Sequence, residues 1–297
     1  MARKFLLPRI LAVAAACSIG LTTLSDTASA DHLNTEVKVM SWNIAGGSCA
    51  SHVDPGVMAA RIKELRDRHN VDVFGLQEVH KDQAQRIATD LGYNYFFNMY
   101  FVPTSCNGTR GNAIISRNTI EDRFFLEFSA SAQSSEETEK RNALGVKIFR
   151  DGRRVFVFTT HLTVKSGEDT GSAPIRAKQA IEARQFAERY NTYPFRAIFT
   201  GDFNDRPYNK DPLDDAYDAY AEMRKLYTDT WATWQATSGA SDVSGYTVGP
   251  GDREKRIDYI FRRSGSKLGL ISSGVLQNTT SSDHFPVLSR FSVEAAT

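Results

Sequence analysis

From residue 37 to residue 293, short apolar runs rich in Val, Ile, Phe and Tyr alternate with longer stretches whose apolar positions recur at helical spacing. The runs at 37–42, 71–77, 93–101, 112–117, 142–149, 154–160, 195–200, 256–262 and 285–293 predict strands. Asp54 and Pro55 cap a first predicted helix, Gly56 to Arg68, with Val57, Ile62 and Leu65 on its apolar side. A second helix is expected from Lys81 to Leu91, stopping at Gly92. A third runs from Ile175 to Tyr190 with Arg176, Gln179 and Arg184 on its exposed face, and a fourth from about Pro212 to Leu226. Asp151-Gly152, between Val146-Lys147-Ile148-Phe149 and Val155-Phe156-Val157-Phe158, predicts a hairpin turn. Hairpins interspersed with covering helices indicate an α/β (α+β) protein in which two packed sheets are flanked by helices.

The first 30 residues break this pattern. Lys4 and Arg9 flank the apolar stretch Ile10 to Leu24, and Ala28-Ser29-Ala30 is a small-residue cleavage signal. Residues 1–30 therefore read as a secretory signal peptide, with the mature chain beginning near Asp31 and the protein expected to be secreted and extracellular. Thr22, Thr23, Ser25 and Asp26 shorten the apolar span below the ~20 residues that a membrane-spanning helix needs. Removing 30 of the 297 residues leaves 267, within the range of one domain, 31–297, and no linker or repeat divides it. Arg3, Lys4, Arg9 and Asp26 leave with the signal, so the formal charge passes from +1 to −1. Whole-chain charge thus does not point to a nucleic-acid partner. Cys49 and Cys106 remain in the mature chain. An oxidising exterior favours a disulfide between them, with two separate thiols as the alternative.

Polar groups collect where the apolar runs stop. Gly201-Asp202-Phe203-Asn204 follows the run 195–200, placing a carboxylate and an amide where desolvation is costly unless something binds them. Asn43, Gln77-Glu78 and His161 follow three other runs, Asp258 lies within a fourth, and Asp283-His284 opens a fifth. Asn43, Glu78, Asp202, Asn204 and Asp283 are oxygen ligands of the kind that hold a hard cation such as Mg²⁺ against a phosphate. Zinc is disfavoured by the absence of H-E-x-x-H, C-x-x-C or a close His pair. Phosphoester hydrolysis needs one group to take a proton from water and another to give one to the leaving oxygen. His284 oriented by Asp258 suits the base, and His161 suits the acid. Asn112 reads as either a turn residue or a site residue, and Arg141 as a phosphate contact in preference to a solvated charge. No G-x-S-x-G elbow, P-loop or G-x-G-x-x-G motif is present, which excludes support for serine-hydrolase, P-loop and dinucleotide chemistry.

Seven segments in order carry a family resemblance: Ser41-Trp42-Asn43, Leu76-Gln77-Glu78-Val79, Gly111-Asn112-Ala113-Ile114-Ile115-Ser116-Arg117, Thr160-His161-Leu162, Gly201-Asp202-Phe203-Asn204, Arg256-Ile257-Asp258-Tyr259-Ile260-Phe261 and Ser282-Asp283-His284-Phe285-Pro286-Val287. Together they resemble the motif series of the endonuclease/exonuclease/phosphatase superfamily, the deoxyribonuclease I-like proteins, over about residues 37–291. The resemblance implies a four-layer sandwich of two mixed sheets flanked by helices, and phosphodiester cleavage by water with a divalent cation, Mg²⁺ or else Mn²⁺ or Ca²⁺. Carried over by position, it implies Glu78, Asn43 and Asp283 as metal ligands and Asp202 and Asn204 as groups that position water and phosphate. It further implies His284 with Asp258 as base, His161 as acid or transition-state stabiliser, and Arg141 and Asn112 as substrate contacts. Thr247 stands where many members have a Thr before the R-I-D-Y strand. A nuclease, most readily an endodeoxyribonuclease, is the favoured activity. A phospholipase C or sphingomyelinase-type lipid phosphodiesterase is the alternative, and an inactive binding module on the same fold a remote one. The aromatic stretch Tyr93 to Phe101 could touch lipid, but its alternation reads better as a buried strand. A monomer with no obligate protein partner is expected.

Overall fold

Residues of alternating character form the strands, and the alternation decides which face of each sheet meets which neighbour. The computed structural model describes residues 35–44, 53–100, 110–130, 140–164, 172–192, 195–207, 218–239, 245–249, 255–277 and 281–295. In chain order the elements are β1 (Thr35–Asn43), α1 (Pro55–His69), β2 (Val73–His80), α2 (Lys81–Leu91), β3 (Asn94–Met99), β4 (Arg110–Ser116), β5 (Thr119–Glu127), β6 (Asn142–Arg150), β7 (Arg153–His161), α3 (Ser172–Tyr190), β8 (Ala197–Asp202), α4 (Ala219–Arg224), β9 (Tyr227–Asp229), α5 (Thr230–Ser238), β10 (Asp258–Arg263), β11 (Leu268–Val275) and β12 (Val287–Val293). They build two six-stranded sheets, ordered β11-β12-β1-β2-β4-β3 and β5-β6-β7-β8-β10-β9. β1 with β2 and β7 with β8 pair in parallel and the other neighbours are antiparallel, so both sheets are mixed as expected.

Three cores follow from the two faces of each sheet. Val37 and Val39 of β1, Val73 of β2, Val155 and Val157 of β7, Ile198 of β8 and Ile260 of β10 fill the space between the sheets. The intervening residues point outward: Met40, Trp42, Phe74 and Leu76 pack beneath α1 and α2, and Phe158, Phe199, Tyr259 and Phe261 pack beneath α3 and α4. The rows that face the other sheet turn polar toward one end. Val37-Val39 leads to Ser41 and Asn43, Val73 to Gly75 and Gln77, Val155-Val157 to Thr159 and His161, and Ile198 to Thr200 and Asp202. Gly75 is required by the closeness of the sheets there, since a Cβ would lie 2.0 Å from Thr200 Oγ1. Gln77 donates across the gap to Thr159 Oγ1 at 2.9 Å. One strand period thus produces a dry centre and a polar rim.

Several elements depart from expectation. β5, β9 and β11 are additional strands, and each lies at a sheet edge, where one side is free of a partner and the apolar signal is weak. α5 is an additional helix. α4 occupies only Ala219–Arg224 of the stretch expected from Pro212 to Leu226, and residues 212–217 lie outside those described. In α1 the Asp54 cap accepts from the Gly56 and Val57 amides as expected, but Val57 is 57% exposed and the buried side is Met58, Ala59, Ile62 and Leu65. In α3, Arg176 and Gln179 are buried rather than exposed, and Arg184 is partly buried against Glu222 of α4. Gln179 turns inward because it serves loop backbone, accepting from Thr163 N and donating to the Ala130 carbonyl. β3 is a half-buried edge strand, with Phe96 against the inter-sheet core and Tyr95 and Phe97 against the core below α2. The β6–β7 hairpin turns at Asp151 and Gly152, both at positive φ, as a two-residue loop demands.

Candidate active site

The polar rim gathers side chains from both sheets. Asn43 ends β1, His161 ends β7, Asp202 ends β8 and Asp258 opens the antiparallel β10. His161 and Asp258 both lie beside Asp202 in register. Glu78 reaches this rim by a defect. Strict alternation would send it to the helix side with Phe74 and Leu76, but the β2–β4 register shifts between Leu76 and Val79, and Glu78 sits at φ 53°. Such a left-handed residue costs roughly 1–3 kcal/mol, a strain that concentrates at functional sites. The bulge brings Glu78 Oε1 within 3.1 Å of Asn43 Nδ2, and Arg110 donates to Oε2 at 2.9 Å.

Asn43 Nδ2 also donates to Asp202 Oδ2, at 3.0 Å, so one amide joins two carboxylates. At the β8 terminus the chain turns sharply: the Asn204 N–H returns to Asp202 Oδ1 at 2.9 Å, and Asn204 is at φ 50°. Gly201 permits the close approach, because a Cβ there would meet the Thr160 carbonyl at 2.5 Å. Asn204 Nδ2 donates to the Leu162 carbonyl and lies 3.0 Å from His161 Nε2.

His284 and Asp258 form a buried pair, with Nδ1 2.8 Å from Oδ2. Nε2 of His284 faces Asp202 Oδ2 at 3.8 Å. Burial opposes the charged imidazole, but Asp258, Asp202 and Asp283 outweigh it and raise His284 from 6.5 to about 10. Burial and the charge of Asp258 raise Asp202 from 3.8 to about 7, against the pull of His284, Asn43 and the Asn204 amide. His161 behaves in the opposite sense: burial, reinforced by Arg141, His284 and Arg110, holds it well below its ordinary value, so the ring is neutral. Its Nδ1 lies 3.1 Å from the Tyr100 hydroxyl and its Nε2 3.5 Å from Asp202 Oδ2.

The donor set suits a hard divalent cation. Glu78 and Asp202 present carboxylate oxygens joined through the one Asn43 amide, the ligand type that a hard cation takes. Asp202, Asp258 and His284 also bring one donor atom each within 4.8 Å of one another, an Asp/Asp/His arrangement that could hold an ion. The 2.8 Å bond between His284 and Asp258 commits that pair to each other, however, and leaves Glu78, Asn43 and Asp202 as the better ligand set.

The Endonuclease/Exonuclease/phosphatase family model matches residues 40–284. The chain belongs to this family. Its members are phosphoric ester hydrolases, generally dependent on a divalent metal. No curated protein matches the sequence. Among solved structures, the human Nocturnin catalytic domain with bound sulfate is similar at 21% identity and TM-score 0.64, covering 87% of this chain and 94% of that one. The Bacteroides thetaiotaomicron mannosyl-6-phosphatase Bt3783 is similar at 18% identity and TM-score 0.62, covering 86% and 99%. D. rerio TDP2 complexed with a single-strand DNA product is similar at 19% identity and TM-score 0.61, also covering 86% and 99%.

Of the residues that the family resemblance singles out, Asn43, Glu78, His161, Asp202, Asn204, Asp258 and His284 come together. Arg141 joins them, 4% exposed, with its guanidinium 4.7 Å over the Tyr100 ring beside His161. Asp283 is exposed, and its carboxylate contacts Ser282 rather than Glu78 or Asn43. Asn112 is fully buried beside the bulge that carries Glu78 and donates to Asn142 of the facing sheet at 2.9 Å. Cys49 and Cys106 lie outside the described residues. Sequence reasoning assigned no role at the site to Tyr100, Arg110 or Trp42, although Trp42 stands in the Ser41-Trp42-Asn43 motif. Trp42, next to Asn43, donates its indole N–H to the His284 carbonyl at 2.9 Å, a contact across 242 positions that no local pattern signals.

Proposed function

We propose that the protein is a secreted, divalent-metal-dependent phosphodiester hydrolase of nuclease type. The observation that carries this reading is the Asp258–His284 pair aimed at Asp202 Oδ2, the same oxygen to which Asn43 donates while it also donates to Glu78. When bound at Glu78, Asn43 and Asp202, a cation such as Mg²⁺ would neutralise charge on the phosphoryl group. With His284 raised to about 10, only its neutral form, populated as pH rises toward that value, accepts a proton from water at Nε2, while Asp258 holds Nδ1–H and stabilises the imidazolium that results. Asp202 and the turn through Asn204 orient that water. His161, neutral and fixed between Tyr100 and Asn204, is not the acid: its Nε2 accepts from Asn204 Nδ2, its one N–H on Nδ1 faces the Tyr100 hydroxyl, and it positions Asn204 beside Asp202. Arg141 contacts the phosphate.

The nuclease assignment draws on TDP2, where the same fold carries a DNA product. The lipid alternative has less behind it, because the aromatic rings of β3 are spent on packing against two cores. Purified protein should be assayed in parallel on plasmid DNA, RNA, sphingomyelin, glycerophospholipids and a phosphomonoester, with Mg²⁺ and with EDTA. DNA cleavage that requires the cation is the expected result. Full activity in EDTA would remove the metal from the reading, and turnover confined to lipid or monoester would replace the substrate.

A further inference from the structure

Thr247 has no side chain of acid, base or ligand type, yet it is completely buried and bonds to the backbone of Asp258 and of Phe285, the residue after His284. Its hydroxyl oxygen accepts from the Ile257 and Asp258 amides, each at 3.1 Å, and faces the Lys255 carbonyl at 3.4 Å. Its carbonyl accepts from the Phe285 N–H at 2.7 Å, and the next residue, Val248, bridges to His284 and to Lys255. Asp258 belongs to β10 of one sheet, and His284 precedes β12 of the other. The pair therefore spans two sheets. The spacing between its members is set by whatever ties those sheets together at this point, and Thr247 bonds to the backbone on both sides. Trp42 and Ser282 hold His284 from its own sheet alone, through its carbonyl and its amide.

We infer that Thr247 is a positioning residue that sets the Asp258–His284 distance, acting through its hydroxyl on the Asp258 backbone and through its carbonyl on the segment after His284. This rests on the hydrolytic reading above. The hydroxyl satisfies two buried N–H groups at once, a task that valine, of equal shape, does not perform and serine does. Because geometry at the base is exacting, Thr247→Val is expected to lower kcat roughly 10-fold or more with KM unchanged, while Thr247→Ser restores most of it. On an Asp258→Asn background the Val substitution should cost less than about 2-fold further, since it acts through Asp258. Proton NMR supplies a readout independent of any substrate. The His284 Nδ1–H resonance, expected far downfield in the wild type from the 2.8 Å bond to Asp258, should move or vanish in Thr247→Val and persist in Thr247→Ser. If the protein proves inactive on every substrate, the NMR comparison alone decides. An unchanged resonance, or kcat losses that multiply in the double variant, overturns the inference. Should Thr247→Val fail to fold, amide exchange in the wild type stands in: the Ile257 and Asp258 amides should exchange slowly, and rapid exchange overturns it.

Discussion

At the scale of single residues, the site is governed by which charges burial leaves uncompensated. His284 and Asp202 both bind protons more tightly in the folded protein than their ordinary values allow, at about 10 against 6.5 and about 7 against 3.8. A raised folded value stabilises the native state below the unfolded value and loses that contribution as pH climbs through the folded one. In chelator, stability should therefore decline from about pH 4 toward pH 10, first through Asp202 and then through His284. Thermal unfolding across that range checks it, with the decline expected to shrink in His284→Gln, and a flat profile would contradict the pairing. His284→Ala should lower turnover by ~10²-fold or more if Nε2 takes the proton. An unchanged rate would remove His284 as base. Glu78, Asp202, Asp258 and His284 were legible in the sequence because each interrupts or ends an apolar run. Asp283 follows the same rule but is exposed, with its charge acting on the adjacent His284.

At the scale of elements, the two sheets meet so closely beneath the rim that side-chain size decides their spacing. Gly75 of β2 faces Thr200 of β8, and a methyl group there would sit 2.0 Å from the hydroxyl oxygen. Gly75→Ala should destabilise the protein by roughly 1–3 kcal/mol in denaturant titration, as overpacking of a filled core does. Adding Thr200→Ala should recover part of that loss. Independent effects would place the cost elsewhere. Central strands such as β1, β2, β7 and β8 were readable because both of their faces are buried. The edge strands β5, β9 and β11 were not, because an edge needs fewer apolar residues and carries more charge, as Glu121, Asp122 and Arg123 do in β5. α3 was placed well, but its faces were not: Arg176 and Gln179 are polar residues turned inward to meet loop backbone, and helical periodicity alone assigns polar residues to solvent.

At the scale of the whole molecule, residues 1–30 predict export of the chain with removal of that segment. Expression of the full chain with mass spectrometry of the exported product should find an N-terminus near Asp31, and a product that keeps residues 1–30 would refute the signal-peptide reading. The sequence by itself determined the family, the two-sheet architecture and most of the residues on the rim. Strand period and burial are local properties, and a polar residue that ends an apolar run is visible without knowing its neighbours. The pairing of His284 with Asp258 was already expected from the sequence, and the tertiary structure decided the geometry by which the rim residues meet. The bulge that redirects Glu78 depends on β4, the Asp258–His284 contact joins different sheets, and the bonds from Trp42 and Thr247 that fix that contact cross 242 and 11 positions of chain. Such distances between bonded groups are set by the closing of one sheet on the other, and no window along the chain contains both partners of the long ones.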